Sequence, residues 1–221
     1  MDSNNEIKKM WLINAPNVTS VLELRAIWPA GVLPKMPAIT RHFRLADYPS
    51  IDACVVAFEV AALKLNEDGF NIYIVMNPID SNLQGTAAKD SDIACRKLLL
   101  IDIDRSEKKI EPATDEEVTA AGILAEAVVA YLEPLGWPQP IRVMSGNGYH
   151  LYYQLTDTPN TPETTTHIQQ LLLKLANKFD NEIVKIDTVV YNASRITKVV
   201  GTIARKGLES EGRPYRMARV I

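Results

Sequence analysis

A β-hairpin near the middle of the 221-residue chain constrains the fold more than any other feature. Two short β-rich runs, 141–144 and 149–155, flank the sequence Ser-Gly-Asn-Gly at residues 145–148. That sequence is typical of a tight turn between adjacent antiparallel strands. The hairpin therefore favours a sheet that is largely antiparallel.

Helices and further strands are predicted on both sides of this hairpin. Ser50 is placed to cap a helix over 51–65, a run that is apolar nearly all round and predicts a buried helix. Thr114 and Glu117 form a capping box, and apolar spacing predicts an amphipathic helix over 168–179. Further strands are predicted over 39–45, 71–75, 97–104, 188–191, 196–200 and 214–220. This mixture predicts an α+β fold.

The charge balance and the cysteine count exclude several classes of protein. Lys and Arg total 24 against 27 Asp and Glu, for a net charge of −3, which excludes a uniformly basic coat but allows a local basic groove. Cys54 and Cys95 are too few for a disulfide framework or a four-ligand zinc site. We expect both to be reduced and buried in a cytoplasmic protein. The first six residues lack a signal-peptide pattern, and no run of ~18 apolar residues predicts a membrane span.

An acid pair ends the apolar strand predicted over 97–104. Asp102 and Asp104 alternate with Ile103, so both carboxylates point to one face, ~6.5 Å apart at Cα. Two buried carboxylates on one face are costly unless a cation lies between them, and Mg²⁺ or Mn²⁺ prefers such oxygen ligands. A solvated strand end with Arg105 as a neighbour explains the pair equally well, and sugar transferases and phosphatases also carry Asp-x-Asp.

The hairpin turn is a second candidate site. Gly146 and Gly148 would let backbone N–H groups approach an anion, while Ser145 and His150 would donate hydrogen bonds to it. The spacing matches neither a dinucleotide fingerprint nor a P-loop. A tight turn with a structural histidine is the alternative, and the turn alone favours it.

A third group of polar residues follows the last predicted helix. Asp187 is predicted to open the strand 188–191, where it would complete a metal site. Arg195 and Lys198 would lie on opposite faces of an extended strand, so a bend is needed if both face one ligand. Residues 195–219 hold seven Lys or Arg and two acids, which suggests phosphate binding; a solvated basic edge is the alternative.

The order of these three groups resembles the archaeo-eukaryotic primase superfamily, most closely the primase-polymerases (prim-pols) of plasmids and phages. The family's hydrophobic-Asp-hydrophobic-Asp motif resembles residues 100–104, and its Ser-Gly-x-Gly-x-His motif resembles residues 145–150. Its third acid, followed by Arg and Gly-Thr, resembles Asp187, Arg195 and residues 201–202. The resemblance covers about residues 70 to 207. Residues 198–201, Lys-Val-Val-Gly, depart from the family's usual Arg-Leu-Pro-Gly.

The resemblance implies one prim-pol catalytic domain over 1–221. It would contain an N-terminal αβ lobe, about 1–95, and an RRM-like antiparallel catalytic sheet with flanking helices, about 96–221. It leaves open that the chain is the catalytic module of a longer primase–helicase protein. The two cysteines exclude the zinc-binding insertion of some relatives.

The activity implied by the resemblance is template-directed nucleotidyl transfer on single-stranded DNA, as a primase or a DNA polymerase. The implied metal ligands for two Mg²⁺ or Mn²⁺ ions are Asp102, Asp104 and Asp187. The implied contacts to the triphosphate of an NTP or dNTP come from Ser145, Gly146, Gly148, His150, Arg195 and Lys198. A helicase is an expected partner.

Three alternatives remain open from the residues themselves. The acid pair would also serve a metal-dependent sugar transferase, although that activity leaves residues 145–150 unexplained. A non-catalytic nucleic-acid-binding replication module would keep the fold without the reaction, although the intact acids argue against it. Finally, Tyr149, Tyr152 and Tyr153 would either stack on bases or, as the pattern favours, belong to the core.

Overall fold

The computed structural model describes residues 21–83, 87–107 and 110–221. Residues 1–20 of the predicted N-terminal lobe lie outside them. The described residues form three α-helices and eleven strands. They are β1 Val21–Ile27, β2 Ile39–Arg44, α1 Ile51–Glu67, β3 Asn71–Val75, β4 Arg96–Arg105, α2 Asp115–Leu132, β5 Ile141–Met144, β6 Tyr149–Thr158, α3 Pro162–Phe179, β7 Val184–Ile186, β8 Ile196–Lys198, β9 Ile203–Ala204, β10 Arg216–Met217 and β11 Arg219–Val220.

The first sheet has four antiparallel strands in the order β2-β1-β3-β8. Helix α1 packs on it and begins where predicted, because the Ser50 hydroxyl accepts a hydrogen bond from the Ala53 amide at 3.1 Å. Its inner face buries Phe58 and Ala62. The expectation that α1 is buried all round is wrong, since Val56 and Val60 are 53% and 62% exposed.

The second sheet has five antiparallel strands in the order β11-β5-β6-β4-β7. Helices α2 and α3 pack against it. The predicted capping box starts α2, with reciprocal hydrogen bonds between Thr114 and Glu117 at 2.8 and 3.1 Å. The α+β fold with antiparallel sheets is therefore confirmed.

The two sheets share a single large hydrophobic core. Side chains from both lie in one buried cluster, for example Leu24 of the first sheet with Leu100 of the second. Leu172 of α3 belongs to the same cluster. Strand β8 lies far beyond residue 95 in sequence, yet it pairs with β3 and completes the first sheet. The division of the chain near residue 95 stays a prediction.

Helix α2 is part of this core. By length and hydropathy, residues 115–135 would suffice to cross a membrane. However, Leu124, Val128 and Leu132 are buried, and the helix packs on β4, β6 and β7. This is the environment of a core helix.

The strand predicted over 188–191 is wrong, and so is the expectation that Asp187 opens it. Those residues form turns, and Asp187 instead follows β7, a three-residue strand that the sequence did not reveal. The reason is local, because the Asp187 carboxylate accepts a hydrogen bond from the Val189 amide at 3.0 Å and turns the chain. Val189 is accordingly 59% exposed. Strand β8 likewise ends at Lys198 rather than at residue 200.

Cys54 and Cys95 form no disulfide bond with each other. Cys54 is buried on α1, but the expectation that Cys95 is buried is wrong, because it is only half-buried.

Candidate active site

Strand β4 presents the two acids of the Asp-x-Asp pair on one face. Ile101 and Ile103 are fully buried, while Asp102 and Asp104 alternate with them and line a cleft on the other side. The predicted same-face arrangement of the two carboxylates is confirmed. Because β4 lies between β6 and β7, it is held on both sides by strand pairing.

The cleft has a volume of about 470 Å³ and lies between the two sheets. Its walls include residues from both, among them Trp28, Tyr73, Asp102, Asp104, Ser145, His150, Arg195, Lys198, Arg205 and Lys206. This volume is within the usual range for a small-molecule pocket. Asp102, Asp104 and the hairpin line one side, called here the acidic wall, and residues 195–198 and 204–206 line the other, called the basic wall. Asp187 is not among the residues that line this cleft; it lines a neighbouring cavity that it shares with Asp104.

His150 lies directly opposite Asp102 in the register of β4 and β6. Its Nε2 is 3.4 Å from Asp102 Oδ1, and its Nδ1 is 3.0 Å from the Tyr152 hydroxyl. Burial, assisted by the positive charge of Arg195, lowers the pKa of His150 to about 4. His150 is therefore neutral at pH 7, and it acts as a hydrogen-bonding group rather than as a cation.

Asp102 is the most perturbed acid of the cleft. Burial, together with the charges of Asp104 and Asp187, raises its pKa to about 7 against smaller opposing contributions from Arg195 and Lys206. The carboxylates of Asp102, Asp104 and Asp187 repel one another. A hard cation between them would stabilise their charged forms, because such cations prefer oxygen ligands. The donor set thus fits Mg²⁺ or Mn²⁺.

Asp187 reaches this group through the backbone. Its amide donates to the Asp102 carbonyl at 2.8 Å, and its carboxylate lies 3.7 Å from Arg195 Nη2. Asp104 similarly lies 3.8 Å from Lys206 Nζ. In the described ranges no three His, Cys, Asp or Glu side chains already converge as a metal site. The metal assignment stays a prediction.

The hairpin between β5 and β6 forms as the sequence indicates. The Ser145 amide donates to the Gly148 carbonyl at 2.9 Å. Gly146 has φ +107°, and a β-carbon on Gly148 would lie 2.1 Å from the Ile103 carbonyl oxygen, so both positions require glycine. Ser145 and Asn147 line the cleft.

Two of the hairpin's backbone donors are already engaged. Besides the Ser145 amide, the Gly146 amide lies 3.0 Å from the Met144 sulfur. Of the anion contacts expected here, the Ser145 hydroxyl and His150 are the groups that face the cleft.

Arg195 and Lys198 both line the cleft, which requires the bend expected from their spacing. Arg195 ends a turn, with its amide donating to the Asn192 carbonyl, and β8 begins at the next residue. Lys198 is only 4% exposed, and its Nζ donates to the Ile203 carbonyl at 3.0 Å. Burial and the neighbouring charge of Arg205 lower the pKa of Lys198 well below its ordinary value.

Several residues of the cleft were missed by sequence reasoning. Trp28, Asn71 and Tyr73 come from the first sheet and the loop that follows β1. Their sequence neighbourhood carries no motif, so only the packing of the two sheets reveals them. Arg205 and Lys206 carried a signal, since they follow the Gly-Thr element of the basic segment.

The tyrosines of β6 do not form a stacking surface. Tyr152 and Tyr153 are each 1% exposed and belong to the core. Tyr149 is half-buried and packs against Gly122 of α2. The core alternative is therefore confirmed for Tyr152 and Tyr153.

Solved structures are similar to almost the whole chain. Primase RepB′ superposes with a TM-score of 0.55 at 10% identity, over 99% of this chain and 56% of that one. The chain has the prim-pol fold. The catalytic domain of primase RepB′ in complex with initiator DNA gives a TM-score of 0.52 at 10% identity, over 98% of this chain and 84% of the other.

The polymerase domain of a DNA-bound ligase is also similar in fold to this chain. The polymerase domain of Mycobacterium tuberculosis Ligase D in complex with DNA gives a TM-score of 0.53 at 15% identity, over 97% of this chain and 80% of that domain. No protein-family model matches the chain, and no characterised protein sequence matches it. The chain spans little more than half the length of primase RepB′, and the identities are low enough that the likeness concerns the fold alone.

Proposed function

We propose that this chain is a nucleotidyltransferase that makes or extends primers on a single-stranded DNA template. The observation that carries the proposal is the composition of one cleft in a prim-pol fold. The acid pair, the hairpin histidine and the basic segment are separate in sequence, yet all line that cleft. A cleft of about 470 Å³ that is lined by both acidic and basic groups suits a metal–triphosphate substrate.

The acidic wall would hold the metal. Asp102 and Asp104 of that wall, with Asp187 beside it, would supply hard oxygen ligands. Bound Mg²⁺ or Mn²⁺ would supply charge neutralisation of the triphosphate and a lower pKa for the attacking 3′-hydroxyl. Asp102 must be ionised to take part, so its raised pKa makes the unloaded site reluctant to bind a metal near and below pH 7.

The hairpin and the basic wall would hold the triphosphate. If the Tyr152 hydroxyl donates to His150 Nδ1, the proton of the neutral ring lies on Nε2, the nitrogen 3.4 Å from Asp102 Oδ1. A neutral imidazole N–H can donate to a phosphate oxygen without acting as a base. Arg195 and Lys198 add positive charge from the opposite wall.

Single-stranded DNA is the proposed template. Two of the structural neighbours are complexes with DNA, and the net charge of −3 means that binding would depend on a local groove. Binding through that groove should weaken with salt. A helicase partner and a cytoplasmic location belong to the same proposal.

The alternatives explain less of the cleft. A sugar transferase would use the acid pair, but it gives no role to the hairpin histidine or to the prim-pol fold. A non-catalytic module would have no use for a carboxylate whose pKa is raised to about 7 beside two further acids.

One assay tests the proposal. The chain is incubated with single-stranded template, labelled nucleotides and Mn²⁺ or Mg²⁺, and products are separated by size. Dinucleotides or extended primers are expected from the native chain and not from Asp104→Asn, which is the matched control for contaminating polymerase. Equal products from both proteins, or transfer of a sugar from a nucleotide sugar, would overturn it.

A further inference from the structure

Residues 201–207 form a bridging segment between the parts of the cleft. The Ile203 carbonyl accepts a hydrogen bond from Lys198 Nζ at 3.0 Å. At the other end, Lys206 Nζ lies 3.8 Å from Asp104. The position of this one segment therefore affects both walls of the cleft.

Two asparagines of the first αβ unit hold this segment. The Asn66 amide accepts from the Ile203 amide at 2.8 Å and donates to the Ile203 carbonyl at 2.9 Å. The Asn71 amide does the same for Arg205, at 2.8 Å in both directions. Each asparagine thus pairs with both backbone groups of one residue, and the two residues that they hold are two apart.

This arrangement imitates a neighbouring β-strand. Strand β9 is only two residues long and pairs on one side with β10. A side-chain amide offers one acceptor and a donor, as a peptide group does, so the two asparagines pair with the backbone where no strand does. Asn66 and Asn71 are each 6% exposed, and buried amides are costly unless such hydrogen bonds are made.

Strand β3 contacts two of the basic residues. Asn71 and Tyr73 lie two apart on β3 and both line the cleft. Tyr73 is the cross-strand partner of Lys198, whose Nζ is 5.6 Å from the centre of the tyrosine ring. The same short strand therefore fixes Lys198 through Tyr73 and Arg205 through Asn71.

The cations held in this way have unmet interactions. Arg205 Nη1 is buried and has no hydrogen-bond partner within the described residues. The charge of Arg205 also contributes to the lowered pKa of Lys198, which places the two cations within electrostatic reach of each other. An anion between them would relieve the repulsion and accept the missing hydrogen bond.

We propose that Asn66 and Asn71 are positioning residues that hold the cations of the basic wall together as a preformed polyphosphate site. Those cations are Lys198, Arg205 and Lys206. The inference rests on the proposed function and extends it to two residues that act through the backbone of the bridging segment. It predicts that loosening the bridging segment weakens binding of polyphosphate, while the template and the acids are left in place.

The test uses inorganic tripolyphosphate as the probe, since its binding requires no catalysis. Calorimetric affinities are compared for the native chain, Asn71→Ala and Asn66→Ala. The control is Asn160→Ala, which removes an amide that bridges two backbone carbonyls, those of Asp90 and Ile93, away from the cleft. We expect Asn71→Ala and Asn66→Ala to bind tripolyphosphate about 10-fold or more weakly, because small displacements of the groups that hold a ligand are costly.

In the primer-extension assay the same variants should raise the KM for nucleotide, with kcat changed much less. Template binding, measured by fluorescence anisotropy, should stay at the native value. A loss of tripolyphosphate affinity no larger than that of Asn160→Ala would overturn the inference. If the asparagine variants bind tripolyphosphate more weakly but the native chain shows no nucleotidyl transfer, the positioning role of the asparagines is supported and the proposed function is overturned.

Hydrogen exchange on the native chain guards against variants that fail to fold. The Ile203 and Arg205 amides both donate to asparagine side chains, so they should exchange as slowly as amides inside a regular strand. Exchange of both amides as fast as that of the exposed Leu208 would overturn the inference without any substitution.

Discussion

The two walls of the cleft are built in different ways. The acidic wall rests on β4 and β6, two ten-residue strands that pair with each other over most of their length. The basic wall rests on β8 and β9, strands of three and two residues, and depends on turns and on side-chain hydrogen bonds. Register fixes the acids, whereas a few individual contacts fix the cations.

The walls also carry opposite electrostatic perturbations. Burial and neighbouring acids raise the pKa of Asp102, while burial and a neighbouring cation lower the pKa of Lys198. In the empty cleft the ionised form of Asp102 and the protonated form of Lys198 are therefore both disfavoured. The ion pairs that join the basic wall to the acids, Arg195 with Asp187 and Lys206 with Asp104, are long, at 3.7 and 3.8 Å. A metal–triphosphate complex carries the counter-charge for both walls at once.

The largest expected effect comes from removing charge on the acidic wall. Asp104→Ala should lower nucleotidyl transfer at least about 100-fold, because no other group supplies the missing oxygen ligand. The fold should persist, since Asp104 is a half-exposed strand-end residue. Circular dichroism checks the fold and primer extension checks the rate. A variant that keeps more than about a tenth of the native rate, ~1.4 kcal/mol in barrier, would contradict the metal assignment.

Removing a donor to the proposed triphosphate, on either wall, should cost less and act on the nucleotide. Lys198→Ala and His150→Ala should each weaken nucleotide use by about 1.5–3 kcal/mol, with template binding retained. Lys178→Ala is the control, because Lys178 is an exposed lysine on α3 that packs over Tyr131. The measurement is steady-state extension against nucleotide concentration.

A double-mutant cycle sharpens this comparison of the walls. His150 and Lys198 lie on different sheets, and only a shared triphosphate joins them in our proposal, so their effects should be coupled rather than additive. Loss of template binding in His150→Ala, with an unchanged nucleotide dependence, would mean that the hairpin contacts DNA instead.

The pH dependence of metal binding tests the acidic wall. Mn²⁺ affinity should rise as the pH increases towards 7, by up to about tenfold per pH unit, because Asp102 must lose its proton. Calorimetry from pH 5.5 to 8.5 measures this. In Asp104→Asn the midpoint for Mn²⁺ should move to lower pH, and affinities that are flat over this range would contradict the account.

The smallest expected effect is on stability. The pKa of Asp102 is about 7 in the folded chain and about 3.9 in an unfolded one, so folding favours its protonated form. The resulting penalty is absent below about pH 4, grows as the pH rises and is complete above about pH 7. Asp102→Asn should therefore stabilise the chain by about 1–2 kcal/mol at pH 8 and by almost nothing at pH 4. Urea unfolding at the two pH values checks this, and equal stabilisation at both would contradict it.

The sequence by itself determined the features that depend on neighbouring residues. Alternation placed Asp102 and Asp104 on one face, a serine and a capping box started two helices, and two glycines required by backbone contacts made the central hairpin. These signals have periods of two to four residues and are legible without a partner. The order of the motifs was enough to indicate the prim-pol fold.

Only the tertiary structure decided how the second wall is made. After β7 the chain leaves the second sheet, and β8 pairs with β3 of the first. This pairing brings Lys198 to the cleft that the acids line, with Tyr73 and Asn71 beside it. No local pattern encodes that pairing, because the two strands are more than a hundred residues apart and one of them is three residues long. The raised pKa of Asp102 likewise depends on how deeply the packed sheets bury it. Strand partners and burial are properties of the assembled core, and a sequence specifies them only through the whole of its packing.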